Sequence, residues 1–411
     1  MPYGKIATDR LVGINFERMR EYRLNRVREA MKEANIGTFI TWDPYTIRYV
    51  VGGYVTIPNR WNQSQAVVLP INGDPYCFLS TSFSPYALRE EMPWLKGKIW
   101  NSLGGLRTRD TIESLEPHMS KIIPIIEEHG LQNEIIGIDG CSRQMLVAEA
   151  FRRKGYDKVV DADAVALKAR SIKNEDEIAC LRLACGAADA AFEDIRQAIR
   201  PGIRECDLVG IGMKRLYEMG CDETQEFVCA SGPRTNPLHI DFTDRAVQCG
   251  DPVVIDINGA SYMGYKTCYY RTFICGKATD EQNAIYEEAR KMMYDAMDVI
   301  KDGACTNDIR KVWPKSPSYW GYDPNNWREV GGYALGHGIG LCLHEWPHMF
   351  HPNPAEPNEY FHEGQCVAIE TWAGKRGGNF GVRLEEDIVV TKDGYELLSK
   401  WPVDKITECW F

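Results

Sequence analysis

Two glutamates and a group of imidazoles in the second half of the chain have the residue types and the setting of a reaction centre. Glu370 in CVAIETWAG and Glu385 in FGVRLEEDIVV interrupt apolar, strand-like runs, where a carboxylate is costly unless it is paired or put to use. The bland reading of Glu370 is a sheet-end residue reaching solvent, and that of Glu385 a solvated acidic turn shared with Glu386 and Asp387. Six of the eight histidines, His239, His337, His344, His348, His351 and His362, fall in this half. The segment GHGIGLCLHEWPHMFHP sets His337 between two glycines and His344 seven residues later. Backbone freedom there would let an imidazole turn toward a cavity. In CASGPRTNPLHIDF, Ser231-Gly232 and Asn236 make a turn that presents His239 as an acid/base. A single histidine is more often a hydrogen-bonded packing residue, but the clustering and the glycine frame outweigh that here.

These side chains need strands and helices to hold them. Around NEDEIACLRLACGAADAAFEDIRQAI, Asn174 followed by Glu177 predicts a capping box, with Ile178, Leu181, Ala184 and Ala188 along one face and Pro201-Gly202 as the stop. Strands are expected at DPVVIDI, QCVAIET and EEDIVVT, and a long helix at NAIYEEARKMMYDAMDVI. HPNPAEPNEYFHEG reads as a surface loop. Earlier in the chain, Phe16, Met19, Tyr22, Val27, Ala30 and Met31 recur at helical steps, and TFITW, QAVVLP and EIIGIDG read as strands of an alternating α/β unit.

At 411 residues the chain is long enough for two domains. Its 44% hydrophobic and 26% charged residues are ordinary for a globular protein. It contains no apolar run of the roughly 18 residues that would span a bilayer. The opening MPYGKIATDR lacks the apolar core of a secretory signal, so a cytoplasmic location is expected. Fourteen cysteines without a CxxC pair or framework spacing predict reduced thiols. A net charge of -10 with interspersed basic residues disfavours nucleic acid as a partner.

The pattern SG-x-x-x-N-x-x-H ending at His239, the Gly264-Tyr265 turn, GHGIG followed by HE-x-P, the Glu370 strand and the closing V-R-L-E strand together resemble the methionine aminopeptidase, prolidase and creatinase family. The resemblance covers about residues 170–400. It implies an α+β pita-bread catalytic domain over 166–411, a creatinase/prolidase-type α/β domain over 1–165, and a homodimer whose small domain closes over the neighbouring cleft. Over the whole chain the sequence is most similar to the dimethylsulfoniopropionate lyase branch, through RMREYRLNRV, DPYTIRY, SGPRTNP, GLC followed by EWP, and DGYELLSKWPVD. That branch keeps two metal-binding aspartates and has no histidine at the position of His239. Metal-free creatinases have that histidine and lack the aspartate pair, but carry an acid where Tyr270 stands.

In metal-dependent members, two Asp, one His and two Glu hold a pair of divalent ions. Carried onto this chain, the histidine is His337 and the glutamates are Glu370 and Glu385. Cys268 falls where the second Asp belongs; Asp256 lies one residue too far away to be the first, and the alternative register offers Asn258. A neutral amide and a thiol are poor substitutes for carboxylates around hard cations. The expectation is therefore no bound metal, the alternative being one divalent ion at Asp256 or Cys268 with His337, Glu370 and Glu385. The resemblance then makes His239 the general acid/base, assisted by Glu370, with His337 and His344 as donors to the substrate. Glu385, Tyr270, Arg383, Cys268 and Asn258 would line the substrate site, and Trp61 would meet a cationic head. The expected activity is metal-independent hydrolysis of a carbon-nitrogen bond in a small zwitterion. The alternatives are elimination from a sulfonium or ammonium acid, an Xaa-Pro peptidase, and an inactive family member.

Overall fold

Asn174 accepts a hydrogen bond from Glu177 N at 3.0 Å and the Glu177 side chain returns one to Asn174 N at 2.9 Å, opening the helix Glu175–Ala198 as the sequence predicts. This helix begins the second of two units, 1–170 and 171–411, in the computed structural model. The structure describes residues 13–53, 63–79, 85–104, 106, 110–236, 241–330, 335–349 and 357–411.

The first unit is built on one sheet ordered β4-β3-β2-β1-β5-β6. Its strands are β1 (Ile36–Thr41), β2 (Ala66–Pro70), β3 (Tyr76–Leu79), β4 (Ile99–Asn101), β5 (Ile135–Asp139) and β6 (Val159–Asp161). β1 pairs parallel with β5 and antiparallel with β2, so the sheet is mixed. The helix Phe16–Glu33 buries Phe16, Met19, Val27, Ala30 and Met31 from the face its periodicity marks.

The second unit contains two sheets. One is ordered β15-β9-β8-β7, from β7 (Glu226–Ser231), β8 (Pro252–Tyr262), β9 (Tyr265–Cys275) and β15 (Thr407–Cys409). The other is ordered β11-β10-β12-β13-β14, from β10 (Gly336–Gly338), β11 (Glu345–Met349), β12 (Cys366–Ala373), β13 (Val382–Val390) and β14 (Tyr395–Leu397). The helix Glu175–Ala198 covers β8 and β9, burying Leu181, Ala184 and Ala188. The helix Asp280–Met297 covers β12 and β13 and joins a core that includes Met293, Trp320, Trp372 and Leu384. Every residue of β8, β9, β12 and β13 is buried. Each polar side chain on them therefore needs a partner inside the protein. None of the fourteen cysteines is joined in a disulfide.

Glu205, fully buried, shows how such a need is met. It accepts from Ser231 N and Oγ at 2.8 and 2.7 Å, from Thr243 N and Oγ1 at 2.8 and 2.7 Å, and from the Arg234 guanidinium. One carboxylate thus ties together both ends of the segment 231–243. Burial alone would raise its pKa, but the bonds from Ser231, Thr243 and Arg234 hold it below the ordinary 4.5. Its contribution to stability is accordingly present above the unfolded-state pKa and lost as pH falls through the folded one. Glu205→Ala is expected to cost about 3–5 kcal/mol in urea unfolding at neutral pH. Glu205→Gln should make the decline of stability below pH ~4.5 shallower than in the wild type.

Candidate metal centre

The β8–β9 hairpin sets the floor of the site. Asn258 lies opposite Cys268 and Asp256 opposite Tyr270. The register shifts between Asn258 and Ala260 because Gly259 is an extra residue with φ +74°. A Cβ on Gly259 would come within 2.7 Å of Gln225 Cβ, which keeps the position glycine. This bulge accounts for the spacing from Asp256 to Cys268: it is Asn258 that faces the thiol. The Cys268 thiol donates to Asn258 Oδ1, and Asn258 Nδ2 donates to Glu226 Oε2 at 3.3 Å.

β12 and β13 supply the wall. Glu370 and Glu385 are direct cross-strand partners, as are Trp372 and Arg383. Like charges placed directly opposite repel. Arg383 is 3% exposed, pairs through Nη2 with Glu370, and stacks 4.0 Å from the Tyr270 ring. Glu385 has no comparable relief: both its carboxylate oxygens are buried without a hydrogen-bond partner among the described residues. Burial first, then the charges of Glu370, Asp256 and Asp387, push its pKa well above the usual carboxylate range.

His337 enters from β10, the strand between β11 and β12. Its flanking glycines serve close backbone approach: a Cβ on Gly336 would lie 2.0 Å from Ala368 O, and one on Gly338 2.3 Å from Trp346 O. The ring is therefore fixed, where the sequence suggested freedom. Nδ1 sits 3.0 Å from the Gly338 carbonyl, which can only accept, so Nδ1 carries the proton. Nε2 keeps its lone pair, 3.9 Å from Glu385 Oε1. Burial lowers the His337 pKa to about 4, so the ring is neutral at neutral pH. A donor role for His337 toward substrate does not match this tautomer. His344 stands exposed beside it, ring edge on ring face with centroids 4.2 Å apart. Its loop is pinned by Glu345, which accepts from Lys173 Nζ at 2.9 Å and Cys342 N at 3.1 Å.

One ligand atom each from Cys268, His337 and Glu385 lies within 4.8 Å of the other two, all three residues buried. Asp256, Tyr270, Arg383, Glu370 and Asn258 surround this group. His239 and Trp61 lie outside the described residues. Glu386 and Asp387 are buried, contrary to the solvated turn suggested by the sequence. Glu386 pairs with Arg271 at 2.7 Å, and Asp387 accepts from Thr267 and from Cys268 N. Asp387 and Glu226 were missed by sequence reasoning. The acid run after Glu385 was the available signal for the first; the second follows only from pairing of β7 with β8.

Residues 179–392 match the family described as metallopeptidase family M24, and residues 23–172 match the creatinase/prolidase N-terminal domain. The dimethylsulfoniopropionate lyase DddP of Roseovarius nubinhibens is 27% identical over 98% of this chain and 91% of that protein. An Xaa-Pro dipeptidase of Pyrococcus horikoshii is 29% identical over 64% of this chain and 73% of its own length. Among solved structures, an Xaa-Pro dipeptidase from Bacillus anthracis superimposes with a TM-score of 0.73 at 23% identity, covering 96% of this chain and all of that one. The shared architecture is the two-domain pita-bread fold. These findings overturn the expectation of no metal cofactor. The family is one of metallopeptidases, and a neutral imidazole, a carboxylate without hydrogen bonds and a thiol converge at one point, a donor set that fits a divalent ion. The replaced aspartates misled because the sequence alone does not show that Cys268 points at His337 and Glu385.

Because the folded-state pKa of Glu385 is raised, the metal-free protein has its full stability with respect to this group below the unfolded-state pKa and loses it as pH rises. Glu385→Gln should stabilise the chelator-treated protein at pH 7 by about 1–3 kcal/mol and reduce its metal content. A thermal melt beside elemental analysis checks both. A metal-free variant no more stable than the metal-free wild type would show that Glu385 is not an uncompensated charge.

Proposed function

Because the chain belongs to metallopeptidase family M24 and carries a creatinase/prolidase N-terminal domain in front, we propose that it is a metal-dependent lyase acting on a small zwitterion with a sulfonium or ammonium head. The observation that carries this reading is the likeness to the dimethylsulfoniopropionate lyase, which extends over 98% of this chain and 91% of that protein. Carboxylate-bridged ion pairs are well suited to making a water nucleophile for peptide hydrolysis. Elimination has no such requirement. It needs a base, a stabilised carboxylate and a leaving group. Asn258 and Cys268, opposite each other on the hairpin, depart from the lyase branch as well as from the peptidases, and they weigh chiefly against the peptidase reading.

An ion held by Cys268, His337 and Glu385 would supply Lewis-acid polarisation of a substrate oxygen. In this proposal Arg383 anchors the substrate carboxylate through Nη1, which has no hydrogen-bond partner among the described residues, while Nη2 stays on Glu370. His239 takes the proton alpha to the carboxylate. The electron pair left behind forms the carbon-carbon double bond as the bond to sulfur or nitrogen breaks, and the neutral sulfide or amine leaves with that bond's electrons. A homodimer in which the partner's N-terminal unit completes the cleft is part of this reading. So is Trp61 as the contact for the cationic head.

A second reading, hydrolysis of a carbon-nitrogen bond in a small zwitterion, is favoured by His239, which matches the creatinase histidine. Incubation of the metal-loaded enzyme with dimethylsulfoniopropionate, creatine and an Xaa-Pro dipeptide separates the readings. Dimethyl sulfide is the expected product; urea would establish the hydrolase, and release of proline the peptidase. Arg383→Met is expected to raise KM for the substrate at least about tenfold, the loss of one charge-assisted hydrogen-bonding pair. Under this proposal His239→Ala lowers kcat by about 100-fold or more. Steady-state kinetics with the substrate that turns over check both.

A further inference from the structure

We infer that the centre takes a single thiophilic ion, zinc-like in its preferences, bound by Cys268, His337 and Glu385, and that Glu370 is not among its ligands. Of the two facing glutamates, Glu370 is held by the Arg383 guanidinium, both side chains being buried. Tyr270 stacks on the other side of that guanidinium at 4.0 Å and fixes it in place. Moving Glu370 onto an ion would break a buried ion pair and leave the Arg383 guanidinium without its counter-charge. Glu385 has no such commitment.

The place for a second ion is short of donors. Asn258 offers only a neutral amide: its oxygen receives the Cys268 thiol and its nitrogen donates to Glu226. Asp387 Oδ2 is engaged by Thr267, Cys185 and the Cys268 amide, and Asp387 is not in the group of side chains whose ligand atoms converge with Cys268. Asp256 accepts from the Tyr270 hydroxyl, and the ligand atoms that converge among the described residues are one sulfur, one imidazole nitrogen and one carboxylate oxygen, all on buried residues and within 4.8 Å of one another. A mixed set of this kind, with one thiolate, suits zinc, cobalt(II) or iron(II) and serves magnesium or manganese poorly. On binding, the sulfur-metal bond replaces the S–H bond, and the thiol proton goes to solvent. Asn258 then changes from acceptor for the thiol to a neighbour of the bound sulfur. The metal count is independent of the substrate, so it can fail while the lyase reading stands, and the reverse.

The test uses the full chain, stripped with chelator and dialysed against zinc, cobalt(II) or manganese. Elemental analysis should find about one zinc per chain, set by the single three-residue ligand group. The cobalt(II) protein should show a near-ultraviolet sulfur-to-cobalt charge-transfer band, which Cys268→Ser abolishes. Cys268→Asp, which restores a carboxylate, should still bind one ion without that band and shift the zinc-to-manganese affinity ratio toward manganese by about tenfold or more. Glu370→Gln should leave the zinc count and the cobalt band unchanged, with circular dichroism confirming that each variant is folded. Two equivalents of zinc, a wild-type cobalt protein without the thiolate band, or loss of the ion in a folded Glu370→Gln variant would each overturn the inference.

Discussion

The compensation of negative charge inside two fully buried strand pairs governs the second unit. Glu370 and Glu385 face each other across β12 and β13, with Asp256 and Asp387 nearby, and Arg383 is the guanidinium that stands among them. Arg271, the other buried guanidinium on these strands, is paired with Glu386. A carboxylate without compensation in such surroundings is either protonated or balanced by something the polypeptide does not itself provide. The fixed tautomer of His337 and the stacked position of Arg383 on Tyr270 both fit a protein that supplies one cation and leaves room for another.

The acids of this unit divide into two kinds by what reaches them. Glu205 and Glu345 are as deeply buried as Glu385, yet each is met by several donors and an ion-pair partner. Their surroundings are complete without a ligand, and their work is to hold the segments near Ser231 and Cys342. Glu385 sits in the same interior with both oxygens unmatched. Burial alone does not distinguish an acid that braces a loop from one that waits for a cation; the inventory of donors does.

Much of the architecture was legible in the sequence because it depends on local signals. The capping box at Asn174 and Glu177, the periodicity of the helix that follows, and the apolar runs of β8, β12 and β13 require only near neighbours to be read. Glu370, Glu385 and His337 stood out for the same reason, being polar residues in apolar or glycine-framed settings. Illegible features depend on partners far along the chain. Asp387 accepts from Thr267, separated by 120 residues, and Glu386 from Arg271, separated by 115, so a run of acids resembled a wet turn when it was an internal network. The pairing of Arg383 with Glu370 is closer in sequence but depends on strand register. The absence of two aspartates was visible from the sequence, whereas the convergence of Cys268 on His337 and Glu385 required the fold.

The residue looped out at Gly259 has a bearing on ancestry. Side chains on a strand alternate in direction, so the parity of β8 relative to β9 is reset at that one position. Deletion of a single codon there would turn Asp256 and Asn258 to the opposite face and bring Ile255 and Ile257 toward the thiol. The hairpin therefore tolerates changes of residue type at its polar positions far better than changes of length. Kinship among such chains is better traced by aligning the bulge and letting the letters vary than by searching for fixed letters at a fixed interval.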